Sequence, residues 1–387
     1  MIKRGAFYPL GLLAAVLSAN ASGLFHELNF EAACQKAAQA KKLVFIDFYT
    51  TWCGPCKMLD QTTWKDPSVI RLLQEKTVPL KIDAEKEVAL AKKYRVEAYP
   101  TLLLLGADGS ERDRIVGYRD AKKFTEEFTA ALEGKNAEAR AREGVTKEGE
   151  KNPMARLKLA RELENQGKFA QALEEYLWCF DEGLKYDRAF TGVRLSFLLS
   201  DLARLGQKHP PAKEAMESRR SAREQKALAG TADRDAVNEL VSLNKALGLP
   251  EKNLELLDRL PKDPLRRAFL VTLVLDQLLE KKRYEDILSG FKPDEVLDRE
   301  LGALERLNKR AGTPQAMSEQ IQRIQRRRLV TTGTTYFEAL AGTGKTDEAK
   351  AFAQRILKFD STPETKERLL GSAARAGNAE VKAHLQK

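Results

Sequence analysis

Cysteine is scarce in this sequence, with four residues in a chain of 387. A small exported scaffold that is held together by disulfides would be cysteine-dense, so that class of protein is excluded. Long apolar runs are missing too: no stretch of 18 or more consecutive apolar residues occurs, which excludes an integral membrane bundle. The 43% of hydrophobic and 32% of charged residues are typical of a soluble, helix-rich globular protein, and the length indicates two or three domains.

The formal net charge of +10 is unevenly distributed. Acidic and basic residues are equal in number over residues 22–134, so the excess lies mainly in the rest of the chain, where the two signs are interleaved. That pattern is typical of solvated helical surfaces and does not favour a nucleic-acid partner. Attraction to acidic clients or to anionic lipid stays open.

The N-terminus has the pattern of a cleavable export signal. A basic pair, Lys3 and Arg4, precedes a short apolar core over residues 8–18, and small residues follow up to Ala21. The apolar core is short for a membrane anchor. We therefore expect a signal peptide over residues 1–21, cleavage after Ala21, and a mature protein that is periplasmic or secreted and not integral to the membrane.

Residues 24–134 alternate between helical and strand patterns. Strands are predicted at 43–49 and 78–83, and helices at 29–41, after residue 53, at 67–76, at 87–96 and at 121–132. Asp66 is expected to cap the helix that begins at Pro67, and Asp108-Gly109 to form the turn of a final hairpin. Strands that alternate with helices and end in a hairpin predict an α/β layer with a mixed sheet.

Cys53 and Cys56 flank Gly54-Pro55 at the start of a predicted helix. The unpaired N–H groups and the dipole of a helix N-terminus favour a thiolate, so Cys53 is expected to be an exposed nucleophile that attacks disulfides. Cys56, one turn further, is expected to face the protein and to resolve the mixed disulfide. A zinc site would need more ligands, and residues 22–134 contain only one further cysteine and one histidine.

The two remaining cysteines, Cys34 and Cys179, lie on predicted apolar helix faces. We expect both to be small core residues, with a disulfide between them as the alternative.

Two motifs carry a resemblance to thioredoxins. WCGPCK, from Trp52 to Lys57, resembles their active-site segment, and VFIDF at residues 44–48 precedes it as in that family. VEAYPTL at residues 96–102 resembles the thioredoxin loop that contains a cis-proline, here Pro100. The resemblance implies a thioredoxin fold.

The stretch TWKDPSVI at residues 63–70 is similar to the exported branch of that family, which includes the terminal domain of transmembrane thiol–disulfide electron transporters. The resemblance covers residues 24–134 and implies dithiol–disulfide exchange through Cys53 and Cys56, without a metal or a nucleotide cofactor.

The resemblance to thioredoxins also implies a role for Asp47. Asp47 lies in the middle of an apolar strand, where an unpaired carboxylate would be costly. The matching acid of thioredoxins is buried behind the active site and moves the proton of the second cysteine. Thioredoxins often place a lysine opposite it; the expected position here is Pro79, with Lys81 two residues further, so the proton chemistry is expected to differ.

Supporting roles follow from the same resemblance. Gly54 and Pro55 form the tight start of the helix. Trp52 shields the cysteines and offers a contact surface. Pro100 shapes a groove in which the backbone of a client pairs with Tyr99 in strand fashion.

Residues 135–152 are polar and are expected to form a linker or a frayed helix, and the pattern after them is one of helical hairpins. Their turns recur at intervals of 39, 42, 33, 31, 32 and 33 residues. The marker residues of these turns are Gly167, Gly206, Gly248, Lys281, Gly312, Gly344 and Gly377. This period resembles that of tetratricopeptide repeats, and LKLARELENQGKFAQALEEYLWCF is the clearest unit. GTGKT at residues 342–346 is expected to be such a turn, because a phosphate loop needs a glycine at residue 339, which is Ala.

The sequence thus predicts a signal peptide (1–21), a thioredoxin-like domain (22–134), a linker (135–152) and an all-α helical-repeat domain (153–387). The leading hypothesis is an exported protein-disulfide reductase whose helical arm holds a client or partner. Protein disulfides would be its substrates, and a membrane thiol–disulfide electron transporter would recharge it. The alternatives are a disulfide oxidant or isomerase, and a repeat-based interaction protein with a vestigial redox head.

Overall fold

The computed structural model describes residues 23–260, 264–308 and 315–386. The predicted signal peptide lies outside these residues. They divide into two compact units, one up to Glu175 and one from Tyr176 onward. Among the helices in these ranges, none combines the length and the apolar composition that crossing a membrane requires.

The first unit contains a sheet surrounded by helices. Its strands are β1 (Leu43–Tyr49), β2 (Thr77–Asp83), β3 (Thr101–Leu105) and β4 (Glu111–Val116). Its helices are α1 (Phe30–Ala40), α2 (Gly54–Gln61), α3 (Pro67–Lys76), α4 (Val88–Lys93), α5 (Ala121–Leu132), α6 (Ala137–Glu148) and α7 (Pro153–Asn165), followed by α8 (Phe169–Asp181), which crosses the division.

The sheet is mixed, as predicted, with the strand order β2-β1-β3-β4. β1 runs parallel to β2 and antiparallel to β3, which forms a hairpin with β4. The hairpin turn contains Gly109 with a φ of 77°, in agreement with the predicted Asp108-Gly109 turn.

Side chains of β1 alternate between two apolar cores, one on each face of the sheet. Phe45 contributes to the core that includes Trp64 and residues of α3 and α5. Ile46 and Phe48 contribute to the core that includes residues of α1 and α4. By this alternation Asp47 lies on the same face as Phe45.

Most helix starts in the first unit are fixed by side-chain caps; α4 is an exception. The Asp66 carboxylate accepts hydrogen bonds from the backbone N–H groups of Ser68 (2.8 Å) and Val69 (3.3 Å), as the sequence predicts. Pro67 occupies the first turn of α3, where its missing N–H costs no hydrogen bond.

The predicted linker contains a helix, α6, that is fixed to the sheet. The N–H of Ala137 donates to Asp113 Oδ1 (2.6 Å), and Arg140 Nη1 donates to Asp113 Oδ2 (2.8 Å). Apolar periodicity does not reveal α6, because its contact with β4 depends on an ion pair. The domain boundaries therefore remain a prediction, while the compact first unit extends to Glu175.

The described part of the second unit is helical. Its helices are α9 (Gly183–Tyr186), α10 (Thr191–Val193), α11 (Leu199–Lys208), α12 (Pro210–Leu228), α13 (Arg234–Ala246), α14 (Glu251–Arg259), α15 (Pro264–Leu273), α16 (Leu275–Glu280), α17 (Tyr284–Leu288), α18 (Pro293–Asn308), α19 (Gln315–Gly342), α20 (Thr346–Phe359), α21 (Pro363–Arg375) and α22 (Ala379–Leu385). A π-helical segment, Arg194–Leu198, joins α10 to α11. One apolar core extends from α12 to α22.

Several marker residues occupy turns as predicted. Positive φ angles of 77°, 73°, 76° and 72° occur at Gly167, Gly248, Gly344 and Gly377, each just after a helix. The Gly344 turn joins α19 to α20, so GTGKT connects two helices.

Two of the marker residues, Gly206 and Gly312, do not join the confirmed turns. The predicted turn at Gly206 is wrong: Gly206 lies inside α11, where a Cβ would come within 3.2 Å of Lys213 Cβ, so the glycine serves the close approach of α12. The marker Gly312 lies outside the described residues. The tetratricopeptide character of this unit stays a prediction.

Candidate active site

The cysteine pair lies at the N-terminus of α2. Cys53 is the N-cap residue, and Pro55 occupies the first turn. Cys53 and Cys56 form a disulfide, with an S–S distance of 2.02 Å. The backbone N–H of Cys56 donates to Cys53 Sγ (3.1 Å), so the helix terminus directs an N–H group at the first sulfur.

The exposure of this pair differs from the prediction. Cys56 is 1% exposed, as expected for the inner cysteine, but Cys53 is only 3% exposed. The prediction of an exposed Cys53 is therefore wrong for the disulfide form. The physical reason is that its sulfur is bonded back across the first turn of α2 instead of projecting outward.

Asp47 is completely buried, at 0% exposure. Burial raises the pKa of its carboxyl to about 6, and the ammonium group of Lys81 and the indole N–H of Trp64 oppose that rise. Trp64 Nε1 donates to Asp47 Oδ2 (3.0 Å), and Lys81 Nζ lies 3.7 Å from the same oxygen. A carboxyl with this pKa exchanges protons near neutral pH.

Lys81, not Pro79, lies opposite Asp47. The parallel register pairs Asp47 with Lys81 and Phe45 with Pro79, so the expectation that Pro79 replaces the lysine is wrong. Pro79 sits on an edge strand, where a missing N–H is tolerated. Its carbonyl accepts a hydrogen bond from the N–H of His26 (2.9 Å). The proton chemistry at Asp47 thus includes a neighbouring positive charge.

Sequence reasoning missed two residues of this cluster. Asp60, on α2, forms an ion pair with Lys81, and Trp64 supplies the hydrogen bond to Asp47. Asp47 Oδ1 makes no hydrogen bond within the described residues, so this oxygen can receive a proton. Trp64 belongs to the TWKDPSVI stretch, but no sequence pattern signals that its indole faces an acid.

The remaining predicted site residues surround a surface patch. Trp52 is 66% exposed, its Nε1 donates to Glu85 Oε1 (2.9 Å), and its ring meets Tyr99 edge-on at 5.8 Å. The peptide bond between Tyr99 and Pro100 is cis, as predicted. The structure thus brings together Trp52 and Tyr99 from two separate loops.

Two further predicted residues lie on the start of α2. Gly54 has open space around its Cα, and Lys57 is exposed with its side chain in no ion pair within residues 23–260, 264–308 and 315–386. Neither makes a side-chain contact that would define a role.

Other candidate ligands and thiols do not join this site. No three His, Cys, Asp or Glu side chains of the described residues converge in the manner of a metal site. Cys34 is half-buried and Cys179 is buried, and both keep their thiols, so the alternative of a disulfide between them is wrong.

Comparisons with known proteins show what the first unit is similar to. A family model described as a thioredoxin-like domain matches residues 30–132. A thioredoxin H-type from Oryza sativa subsp. indica is 38% identical over 95 residues, which are 24% of this chain and 70% of that protein. The thiol:disulfide interchange protein DsbD from Pseudomonas fluorescens is 32% identical over 113 residues, 28% of this chain and 19% of that protein. The solution structure of a thioredoxin from Thermus thermophilus is 27% identical, over 27% of this chain and 83% of that one, with a TM-score of 0.25.

The family model covers the residues that form the sheet and the disulfide. The similarity to DsbD spans about a fifth of that protein, whereas the match to the rice thioredoxin spans more than two thirds of it. Residues 30–132 therefore form a thioredoxin-like domain, and through it the chain belongs to the thioredoxin family.

Proposed function

We propose that this thiol–disulfide oxidoreductase of the thioredoxin type is an exported protein-disulfide reductase. The observation that carries the proposal is the Cys53–Cys56 disulfide at the N-terminus of α2, in the same domain as a buried acid whose pKa is about 6. Its substrates would be disulfides of other proteins.

The proposed reaction begins with the reduced pair. The Cys53 thiolate attacks one sulfur of a client disulfide; the S–S bond of the client breaks, and its other sulfur leaves as a thiolate that takes a proton from water. Cys56 then loses its proton and attacks Cys53 Sγ. This step releases the second client thiolate and leaves the Cys53–Cys56 disulfide, so two electrons pass to the client.

Asp47 is proposed to accept the proton of Cys56. A base is needed at this step because the thiolate, not the thiol, is the nucleophile. A carboxyl with a pKa of about 6 is largely ionised at neutral pH and can still be protonated at low cost. Lys81 and Trp64 hold Oδ2, which leaves Oδ1 for the proton.

Client contact is assigned to the patch of Trp52 and Tyr99. Both rings are amphipathic, and the exposed indole can cover an apolar client surface. Tyr99 precedes Pro100, in the loop that is proposed to pair with the backbone of a client. The helices of the second unit would supply a further surface for a client or a partner.

Export and recharging are proposals as well. The similarity of 113 residues of this chain to DsbD supports an exported reductase. A reductant in an oxidising compartment needs a source of electrons. The proposed source is a membrane thiol–disulfide electron transporter. The export signal that the sequence predicts falls on residues 1–21, outside the described residues.

The reduction potential of the Cys53–Cys56 pair tests the direction of electron flow. Equilibration of the full chain against dithiol and glutathione buffers should give a value close to the approximately −270 mV of thioredoxin. A value of about −180 mV or higher would replace the proposal by an oxidant or isomerase. A Cys53→Ser variant that kept full biological activity would instead favour the interaction protein.

A further inference from the structure

Three arginines of α19 share one exposed face in the second unit. Arg323, Arg326 and Arg327 follow the i, i+3, i+4 spacing that brings side chains together on a helix. The guanidinium of Arg326 lies 5.4 Å from the ring centre of Phe359. Arg323 and Arg327 make no ion pair and no hydrogen bond within the described residues. Because like charges at this spacing repel one another, helix stability does not account for the cluster.

Several other arginines of the same unit are paired with carboxylates. Arg355 contacts both Asp294 and Asp298, and Arg283 lies 2.5 Å from Asp258 in an ion pair. What distinguishes α19 is that Arg323, Arg326 and Arg327 lie side by side on one helix face without a carboxylate partner among the described residues.

The arginines line a groove of about 630 Å³ between α19 and the start of α21. This volume lies within the range of about 300–1,000 Å³ that is usual for ligand sites. Ile324, which is 57% exposed, and Val330 supply apolar surface. The carboxylates in this groove are already engaged: Glu364 pairs with Arg368 (3.0 Å), and Asp360 accepts from the N–H of Thr362 (3.1 Å).

A second groove, of about 530 Å³, lies between α18 and α19. Arg323 and Arg326 line this groove as well, and Leu301 and Phe359 supply apolar surface. Glu305 and Glu319 also line it. In this second groove two glutamates stand against two arginines, so the excess of basic side chains lies in the groove between α19 and the start of α21.

We infer that the groove between α19 and the start of α21 binds an acidic, aliphatic peptide segment of another protein. The planar guanidinium group pairs with a carboxylate through two parallel N–H···O bonds, so Arg323 and Arg327 fit glutamate or aspartate side chains. Ile324 provides the contact for an aliphatic neighbour in the same segment. The inference concerns binding alone and does not depend on the redox chemistry of the first unit.

Fluorescence anisotropy on the full oxidised chain tests the inference. The probe is a short fluorescein-labelled peptide rich in glutamate and isoleucine; one control peptide has lysine for glutamate, and another has serine for isoleucine. We expect only the first to bind well, with an affinity that falls as NaCl is added. An Arg323→Gln/Arg327→Gln variant should bind at least about tenfold more weakly, because two charged hydrogen-bond donors are lost.

Folding is checked on the same variant. Removal of the like-charge pair should leave Tm unchanged or raise it slightly, so lost binding cannot be ascribed to unfolding. An Arg188→Gln/Lys226→Gln variant changes the net charge equally at exposed positions outside both grooves and should bind the peptide normally.

Three results would overturn the inference. The first is unchanged peptide affinity in the α19 variant. The second is an equal loss in the Arg188→Gln/Lys226→Gln control, which would indicate a general effect of charge. The third is binding of phosphatidylglycerol vesicles, but not of the acidic peptide, through Arg323 and Arg327, which would make the surface a lipid site.

Discussion

At the scale of single residues, Asp47 links stability to pH. Burial raises the pKa of its carboxyl from 3.8 to about 6. The unfolded chain releases this proton at a lower pH than the folded chain, so the folded chain holds more protons between the two values. The contribution of Asp47 to the free energy of unfolding therefore falls as the pH rises from about 4 to about 6. At pH 7 the folded chain bears the full free-energy cost of burying the ionised carboxylate.

An Asp47→Asn variant should remove the free-energy cost of burying an ionised carboxylate. The amide carries no charge to desolvate, and its oxygen can still accept the hydrogen bond from Trp64. We expect the oxidised variant to be more stable than the parent by about 1–3 kcal/mol at pH 7 and by much less below pH 4. Urea unfolding at the two pH values measures the difference.

The control for this prediction is Glu75→Gln, on the exposed side of α3. It should leave the free energy of unfolding nearly unchanged at both pH values. A gain in the Asp47→Asn variant that was equally large at low pH would show that ionisation is not its cause.

At the scale of elements, the strands and helices of the first unit follow from local pattern. The strand predicted at residues 43–49 has the bounds of β1, and the helix predicted at residues 67–76 has those of α3. Both carry strong signals: an apolar aromatic run in one, and a cap followed by proline in the other.

What the sequence did not predict depends on contacts between elements. The pairing of Asp47 with Lys81 is set by the register of β1 against β2, and a shift of two residues leaves the alternation of faces unchanged. The hydrogen bond from Trp64 and the ion pair of Asp60 also depend on how elements pack, so the sequence pattern does not predict them. Each joins residues that lie 17 or 21 positions apart along the chain.

The connection between α7 and α8 shows how an element end can depend on a distant side chain. Gly167 has a φ of 77°, and a Cβ there would overlap the Arg95 guanidinium. That guanidinium donates to the carbonyl of Gln166 (3.2 Å). The glycine therefore meets two requirements, the left-handed backbone and the room for Arg95.

Gly167→Ala should destabilise the chain by about 1–2 kcal/mol, because alanine is strained at this φ and displaces the Arg95 guanidinium. The matched change Gly144→Ala, inside α6 with nothing near the added methyl group, should stabilise by about 0.5–1 kcal/mol. Thermal unfolding of both variants tests the pair. A shift in the same direction for both would rule out this explanation.

At the scale of the whole molecule, the redox unit is larger than its family match. The match ends at residue 132, but the compact unit continues to Glu175. Asp113, on β4, is buried and depends on Ala137 and Arg140 for its hydrogen bonds. We propose that α6 belongs to the folding unit of the redox domain.

Arg140→Met should therefore destabilise the chain by about 3 kcal/mol, because it leaves a buried carboxylate without its cation. Arg142→Met should cost at most about 0.5 kcal/mol, because Arg142 is half-exposed and its partner Glu138 keeps the ion pair with Lys168. Hydrogen exchange of the β4 amides measures both. A chain that ends at residue 134 should likewise be less stable than one that ends at residue 150; equal stability would favour the boundary predicted from the sequence.

The two cysteines outside the disulfide lie one in each unit, Cys34 on α1 and Cys179 on α8. Burial raises the pKa of the Cys34 thiol, and Cys179 is wholly enclosed, so neither offers a ready thiolate while its unit is folded. Brief alkylation of these two thiols, followed by peptide mass spectrometry, would thus report which unit has unfolded, without an engineered cysteine. The raised pKa of Cys34 and the enclosure of Cys179 disfavour mispairing of these thiols with client sulfurs, so one chain can carry two further cysteines in addition to a pair that exchanges disulfides.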